Sequence, residues 1–371
     1  MTDFKYKLPE YPCREDMWDS LAKESRPIVV YGMGNGADKL FRRLEKYGVS
    51  VSDVFASDGF VRGHSYRGYR VKSFSEIKEL YADFVILLSF ASNRKDVVEM
   101  IEEIDREYEL FIPDMPVTDE SEYFDREFYN KNYSRIFDVY QSLADGESKN
   151  IYSAVLNYKL TGKLEYLMGA YTEKADMYNL ISARKIETVV DAGAYNGDTA
   201  KEAIEYLCGV KRIYAIEPDR RNFKKLSRFA EEATVKITPI NAVAWNSCQQ
   251  GDFMLSGNRN SSACSTASHE HLIDSIPFTT IDCLKINAEY IKYDVEGAEN
   301  NALVGSFETI KKSRPVLLVS IYHRSRDIFS LPEFVVREFV GYKLFVRRLY
   351  SIPAWELNLI ALPIEYCKNI C

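Results

Sequence analysis

The stretch Glu187 to Thr199, ETVVDAGAYNGDT, constrains this chain more than any other. An apolar run, Thr188-Val189-Val190, meets Asp191, Gly193, Asn196, Gly197, Asp198 and Thr199, and a helical pattern opens at Ala200. A buried strand, a tight glycine turn and a capped helix in that order form the nucleotide-binding corner of a doubly wound α/β sheet. A pyrophosphate-binding turn presents bare N–H groups to an anion. Here two carboxylates, Asp191 and Asp198, would repel one. A cationic ligand suits the loop better. S-adenosylmethionine (SAM) carries a sulfonium, an ammonium and no phosphate. A second strand, RIYAIEPD (212–219), ends in Glu217, 20 residues after Gly197. At that spacing an acid reaches a ribose hydroxyl pair.

The same alternation continues. Strands are expected at Thr188–Ala192, Arg212–Glu217, Val235–Ala244, Tyr290–Asp294, Pro315–Tyr322, Tyr342–Arg347 and Glu356–Leu362. Helices are expected at Thr199–Cys208, Arg220–Glu232, Ala298–Lys312 and Ile328–Val340. Two last strands with no helix between them suit the antiparallel end of a class I SAM-methyltransferase sheet. The polar stretch Ser256 to Ser275 interrupts the series at the active face, and its small residues suggest a lid over the acceptor.

Upstream, residues 1–115 alternate in the same βαβ manner. PIVVY (27–31) runs into Gly32-Met33-Gly34-Asn35-Gly36, and DFVILLS (83–89) is a further buried strand. Glycines spaced this way are a weak fingerprint. Asp58, Ser89 and Asn93 would line the same crevice. Residues 116–180, rich in Tyr, Phe and charge, read as a helical connector whose tyrosines either pack or form a sugar platform. The fold class is therefore α/β. Two Rossmann-like doubly wound domains, 1–115 and 181–371, are joined by helices at 116–180.

With 371 residues the chain can fill two cores. A net charge of −7 argues against a general nucleic-acid binder. Seven scattered cysteines without a C-x-x-C pair fit reduced thiols, hence a cytoplasmic setting. The polar N-terminus gives no signal peptide, and no run reaches membrane-span length.

Candidate chemistry gathers at the strand ends. IKYDVEGAE (291–299) places Asp294 and Glu296 where a strand stops, and Tyr322-His323 ends the next one. His323, expected as a neutral imidazole, is the candidate general base, with Asp294 and Glu296 beside it in the catalytic set. A divalent cation such as Mg2+ would take ligands from Asp294, Glu296, His323 or Asp327. Glu299, in the first turn of the helix after Gly297, suits the helix dipole.

DAGAYNGDT, IEPD, IKYDVEGAE with Asn301-Ala302-Leu303-Val304-Gly305, and VSIYHRSRDIFSLPEFV together resemble the FkbM family of SAM-dependent methyltransferases, over roughly 145–362. The resemblance implies SAM contacts at Asp191, Gly193, Asn196, Gly197, Asp198 and Glu217, within a loop set that includes Ala194, Tyr195, Thr199 and Asp219. It implies O-methylation of a sugar hydroxyl on a glycan, nucleotide sugar or glycosylated metabolite. Glu356-Leu357-Asn358 departs from the family's more usual threonine after the glutamate, which bears on the acceptor. Two other readings stand beside it: a nucleotide-binding oxidoreductase or epimerase built on the N-terminal glycine loop, and a SAM-binding scaffold without catalysis. A homo-oligomer is compatible with all three.

Overall fold

The computed structural model describes residues 5–61, 63–118, 122–255, 262–263 and 272–369. The chain opens with α1 (Met17–Ala22), capped by Asp16, and then builds a first sheet. Its elements are β1 (Ile28–Tyr31), α2 (Asn35–Lys46), β2 (Asp53–Ala56), the small hairpin β3 (Ser65–Tyr66) and β4 (Tyr69–Arg70), β5 (Lys72–Ser73), α3 (Phe74–Leu80), β6 (Val85–Leu88), α4 (Lys95–Glu107) and β7 (Glu109–Phe111). Strand order is β5-β2-β1-β6-β7, all parallel. Every residue of β1 and β6 is buried, as expected of strands covered by helices on both faces. The order reverses between β1 and β6, which opens a crevice at their carboxyl ends. There Gly36 lies against the loop after β6, and a Cβ on it would stand 2.1 Å from the Ser89 carbonyl oxygen.

Four helices follow: α5 (Arg126–Ser142), α6 (Gly146–Thr161), α7 (Leu164–Met168) and α8 (Lys174–Ile181). Asp125 and Asp145 cap α5 and α6 through their side chains. Tyr129, Tyr152 and Tyr158 are fully buried, so these three pack in the core. Ser148 of α6 and its cap Asp145 bind strand residues Val346 and Arg347 far along the chain. The connector therefore covers a face of the second sheet.

That second sheet contains β8 (Thr188–Ala192), α9 (Asp198–Tyr206), β9 (Arg212–Ile216), α10 (Arg220–Glu232), β10 (Lys236–Ile240) and β11 (Val243–Ala244). A hairpin region follows: β12 (Gln249–Leu255), β13 (Ser262–Ala263) and β14 (Leu272–Thr279). The chain ends with β15 (Tyr290–Tyr293), α11 (Glu299–Val304), α12 (Phe307–Ser313), β16 (Val316–Ser320), α13 (Asp327–Glu338), β17 (Tyr342–Arg348) and β18 (Leu357–Pro363). The main order is β10-β9-β8-β15-β16-β18-β17. β18 runs antiparallel to both of its neighbours.

Three sequence expectations change. The strand expected over 235–244 breaks after Ile240, and β11 leaves the main sheet to pair with β14 in a small sheet of order β11-β14-β12-β13. The helix expected over 298–312 divides, because Asp282 accepts from the N–H groups of Glu308 and Thr309 and caps a new start. The polar stretch 256–275 is in part strand: β13 and the start of β14 belong to it. The lid expectation otherwise falls on 256–261 and 264–271, outside the described residues.

One apolar cluster joins Val29, Ile86 and Leu110 of the first sheet, Tyr152 and Leu156 of α6, and Ile291, Leu317 and Leu359 of the second. Ser92 and Ile352 add a two-way backbone bridge between the domains, at 2.7 and 2.8 Å. At roughly 1.5–3 kcal/mol for each fully buried large aliphatic side chain, that shared core outweighs the two bridging hydrogen bonds.

Candidate active site

A cavity of about 480 Å³ lies at the carboxyl end of the second sheet, where strand order reverses between β8 and β15. Two close approaches shape its floor. The turn after β8 passes so near β15 that a Cβ on Gly193, at φ +88°, would stand 1.8 Å from the Asp294 carbonyl oxygen. Tyr195 then adopts φ +47°, and its N–H donates to Glu217 Oε2 at 2.9 Å. Asp219 N–H donates to Glu217 Oε1 at 2.8 Å. The carboxyl is thus held at the end of β9 while it lines the cavity. Burial pushes its pKa up to about 7, even though the two N–H donors pull it down.

Of the ten cofactor-site residues expected from sequence, Gly193, Tyr195, Asp198, Thr199 and Glu217 line the cavity. The other five stand behind it. Asp191, 2 % exposed, accepts from the Thr199 hydroxyl at 2.5 Å and faces Lys292 at 3.7 Å. Asn196 accepts from Asp198 N–H, Ala194 is buried, and Gly197 starts α9. Asp219 caps α10 by accepting from Arg221 and Asn222 N–H.

Sequence reasoning missed a second wall. Thr172, Lys174 and Tyr178, at the entry to and within α8, line the cavity, and Lys174 pairs with Glu202 of α9 at 2.5 Å. Leu349, Tyr350, Glu356 and Asn358 come from the β17–β18 connection, and Asn93 comes from the first domain. None of these carries a recognisable motif. Two early signals were the unusual Glu356-Leu357-Asn358, where Glu356 holds a positive φ of 58°, and Asn93, which was expected in the first domain's own crevice but lines this cavity.

The strand-end acids form one electrostatic unit. Lys292, buried within β15, lies 3.2 Å from Asp294 and 3.7 Å from Asp191. Burying a lone ammonium costs several kcal/mol, and two facing carboxylates offset it. Asp294 also accepts from the Tyr322 hydroxyl at 3.3 Å. Burial works against its charge, but Lys292 and His323 hold its pKa down at about 2. Glu296, at φ +51°, lines the cavity beside it, and burial pushes its carboxyl up to about 8.

His323 departs from expectation. It is completely buried and does not line the cavity. Its Nδ1 lies 2.9 Å from Glu299, and its Nε2 lies 3.5 Å from Asp294 and 3.6 Å from Glu296. Burial alone would lower its pKa. The charge of Glu299, then those of Glu296 and Asp294, overcomes this and lifts it to about 10. The surrounding acids push the ring toward its protonated form, against the neutral imidazole expected of a base.

Asp294, Glu299 and His323 offer ligand atoms within 4.8 Å of one another, a set without Glu296 or Asp327. Asp327 instead accepts from Arg324 N–H. Within this set Glu299 Oε1 already accepts from Val295 and Gly297 N–H. The cavity itself fits a nucleoside-sized ligand bearing positive charge. Its size is in the usual range, the Glu217 carboxyl stands at its edge, and its two lysines are already paired.

No helix among the described residues is long and apolar enough to cross a membrane. A comparison with curated protein sequences finds no match. Among solved structures, the methyltransferase FkbM from Methylobacillus flagellatus KT is similar at 21% identity and TM-score 0.71, over 97% of this chain and 95% of that one. The two share a fold across nearly their whole lengths. An rRNA methylase from Streptococcus thermophilus matches at 13% identity and TM-score 0.33, over 51% of this chain and 93% of that one. Fibrillarin from Aeropyrum pernix matches at 14% identity and TM-score 0.33, over 52% and 75%. At those two scores the likeness does not bear on the fold. Residues 191–344, which carry the glycine turn, Glu217, the acids after β15 and His323, match the model of the Methyltransferase FkbM domain. Residues 191–344 thus resemble the FkbM methyltransferase domain, in a chain whose fold is shared with an FkbM methyltransferase.

Proposed function

We propose that the chain is a SAM-dependent O-methyltransferase acting on a sugar hydroxyl of a glycan, nucleotide sugar or glycosylated metabolite. The observation that carries this reading is the acid-rich cavity at the β8/β15 switch point, with Glu217 held by two N–H donors at its edge. Glu217 would hold the ribose hydroxyls, with Gly193, Tyr195, Asp198 and Thr199 along the same wall. Bound there, SAM supplies an electrophilic methyl group on a sulfonium.

The chain's own residues then have two tasks. The first is orientation, since an acceptor oxygen in line with the methyl group gains most of its rate from placement. Asp294, kept charged by Lys292 and steadied by Tyr322, accepts a hydrogen bond from the acceptor. The second is removal of the hydroxyl proton. Glu296 lines the cavity, and its pKa near 8 lies closer to neutrality than that of Asp294. We assign it the base. His323 is a positioning residue, an imidazolium that ties Asp294, Glu296 and Glu299 together.

The acceptor's remote part would run toward the first domain, where Asn93 reaches the cavity. A diphosphate would not lie among Glu173, Glu202, Asp294 and Glu356. Any nucleotide portion would sit outside the cleft, toward the crevice between β1 and β6. The test is mass spectrometry for a gain of one methyl on neutral glycosides, amino sugars and nucleotide sugars incubated with SAM and the full chain. Methyl transfer to a nitrogen or a carbon instead of a hydroxyl would overturn the O-methylation reading.

A further inference from the structure

Away from the cavity, the thiols of Cys248 and Cys283 face each other with their Sγ atoms 2.7 Å apart. Both residues are exposed. They are 35 positions apart in sequence, but the fold brings them to the same end of one hairpin. Cys248 immediately precedes β12, and Cys283 lies in the 3-10 turn Asp282–Leu284 that follows β14. β12 and β14 pair antiparallel starting from Gln249 opposite Phe278, so the two cysteines sit on strands leaving the base of that ladder. Thr280 steadies the arrangement: its hydroxyl accepts from Cys283 N–H at 3.1 Å and lies 3.8 Å from Cys248 Sγ.

We propose that Cys248 and Cys283 are a redox-active dithiol that closes to an intrachain disulfide on exchange with a small disulfide such as oxidised glutathione. The Cys248 thiolate attacks one sulfur of oxidised glutathione. The glutathione disulfide bond breaks, a mixed disulfide forms on Cys248, and one glutathione thiolate leaves. The Cys283 thiolate then attacks the Cys248 sulfur, the mixed bond breaks, and the second glutathione leaves. Two protein thiols have given up two protons and two electrons, and one glutathione disulfide has become two thiols. Excess reduced dithiol runs the sequence backward.

Exchange of this kind needs an accessible thiolate with its resolving thiol at hand. The hydrogen bond with the Cys283 thiol draws the Cys248 pKa below its ordinary value. The cross-link would tie two functional surroundings. On one side, Val243 and Ala244 line the cavity just before Cys248, and Trp245 N–H is bonded to the Thr279 carbonyl. On the other, Asp282 caps α12.

The experiment uses the folded full chain equilibrated with glutathione mixtures running from reduced to oxidised, then trapped with iodoacetamide and mapped by mass spectrometry. The expected product is a single cross-linked peptide pair containing Cys248 and Cys283, absent from both Cys248→Ser and Cys283→Ser. The oxidised wild type should unfold at a higher temperature than the reduced form, since closing a long loop constrains the unfolded chain. Neither serine variant should show that rise. Recovery of both cysteines as separate alkylated or glutathionylated peptides under the most oxidising mixture would overturn the proposal. So would a cross-link from either of them to a different cysteine.

Discussion

At the scale of single residues, the cavity separates groups that touch ligands from groups that hold them. On the proposed reading Glu217 belongs to the first set, and losing a charge-assisted hydrogen bond costs roughly 1.5–3 kcal/mol. Glu217→Ala should weaken SAM binding about tenfold or more, as read by calorimetry, with the fold intact by circular dichroism. Unchanged affinity would remove Glu217 from the ribose. Glu296→Gln should lower turnover about 10²–10⁴-fold and leave SAM affinity little altered. Because the base must be ionised, kcat in the wild type should rise with pH and level off above about 8, where the raised carboxyl has lost its proton. A flat profile from pH 6 to 9 would return the base role to another group. His323→Gln should perturb that profile rather than merely scale it, since the imidazolium faces both Asp294 and Glu296. Prolonged treatment with a chelator should leave turnover unchanged, and its loss with restoration by Mg2+ would show that the Asp294, Glu299 and His323 cluster holds a cation after all.

At the scale of elements, the loops after β9, β15 and β16 form a proton-rich cluster with a consequence for stability. The folded-state pKa values of Glu296, Asp327 and Glu217 are raised to about 8, 7 and 7, and that of His323 to about 10. Each group therefore holds its proton in the native state at a pH where the unfolded chain releases it. Whatever stability this proton retention contributes is fully present below the unfolded values, about 4 for the acids and 6.5 for the histidine. It is lost as pH rises through the folded ones. Asp294 acts in the opposite sense, but only toward pH 2. The ligand-free chain should need less denaturant to unfold at pH 9 than at pH 5.5, and His323→Gln should flatten that slope. A midpoint rising across that range would contradict the arrangement. The strands around this cluster were legible in sequence because apolar runs such as PVLLVS have few other uses. The small sheet was not. β12 and β14 embed polar residues in short runs, as in QQGDFML and LIDSIPFT, and their pairing is a long-range contact that no local pattern announces. The role of His323 was hidden for the same reason. Its position at a strand end could be read, but the three carboxylates that charge it come together only in space.

At the scale of the whole molecule, the two sheets share one continuous apolar cluster, and the connector helices complete it. This changes how the first domain's role can be tested. Removing residues 1–115 would strip α6 and the second sheet of Val29, Ile86, Leu110 and their neighbours, so lost turnover would report unfolding as readily as lost recognition. A point change at the domain boundary separates the two. Asn93 follows Ser92, whose backbone is bonded both ways to Ile352, and it enters the cavity beside Tyr350. Its side chain is exposed, so Asn93→Ala removes a polar group without opening the core. If the first domain presents the acceptor, this variant should raise KM for the methylated sugar severalfold, comparable to the roughly 0.5–1.5 kcal/mol of one neutral hydrogen bond. SAM affinity and unfolding temperature should stay at wild-type values. Asn93→Asp, which adds a further charge to an already acidic cleft, should raise KM more for an anionic nucleotide sugar than for a neutral glycoside. Equal effects on both acceptors, or a change in SAM affinity instead of KM, would show that the first domain supports the cleft without reading what enters it.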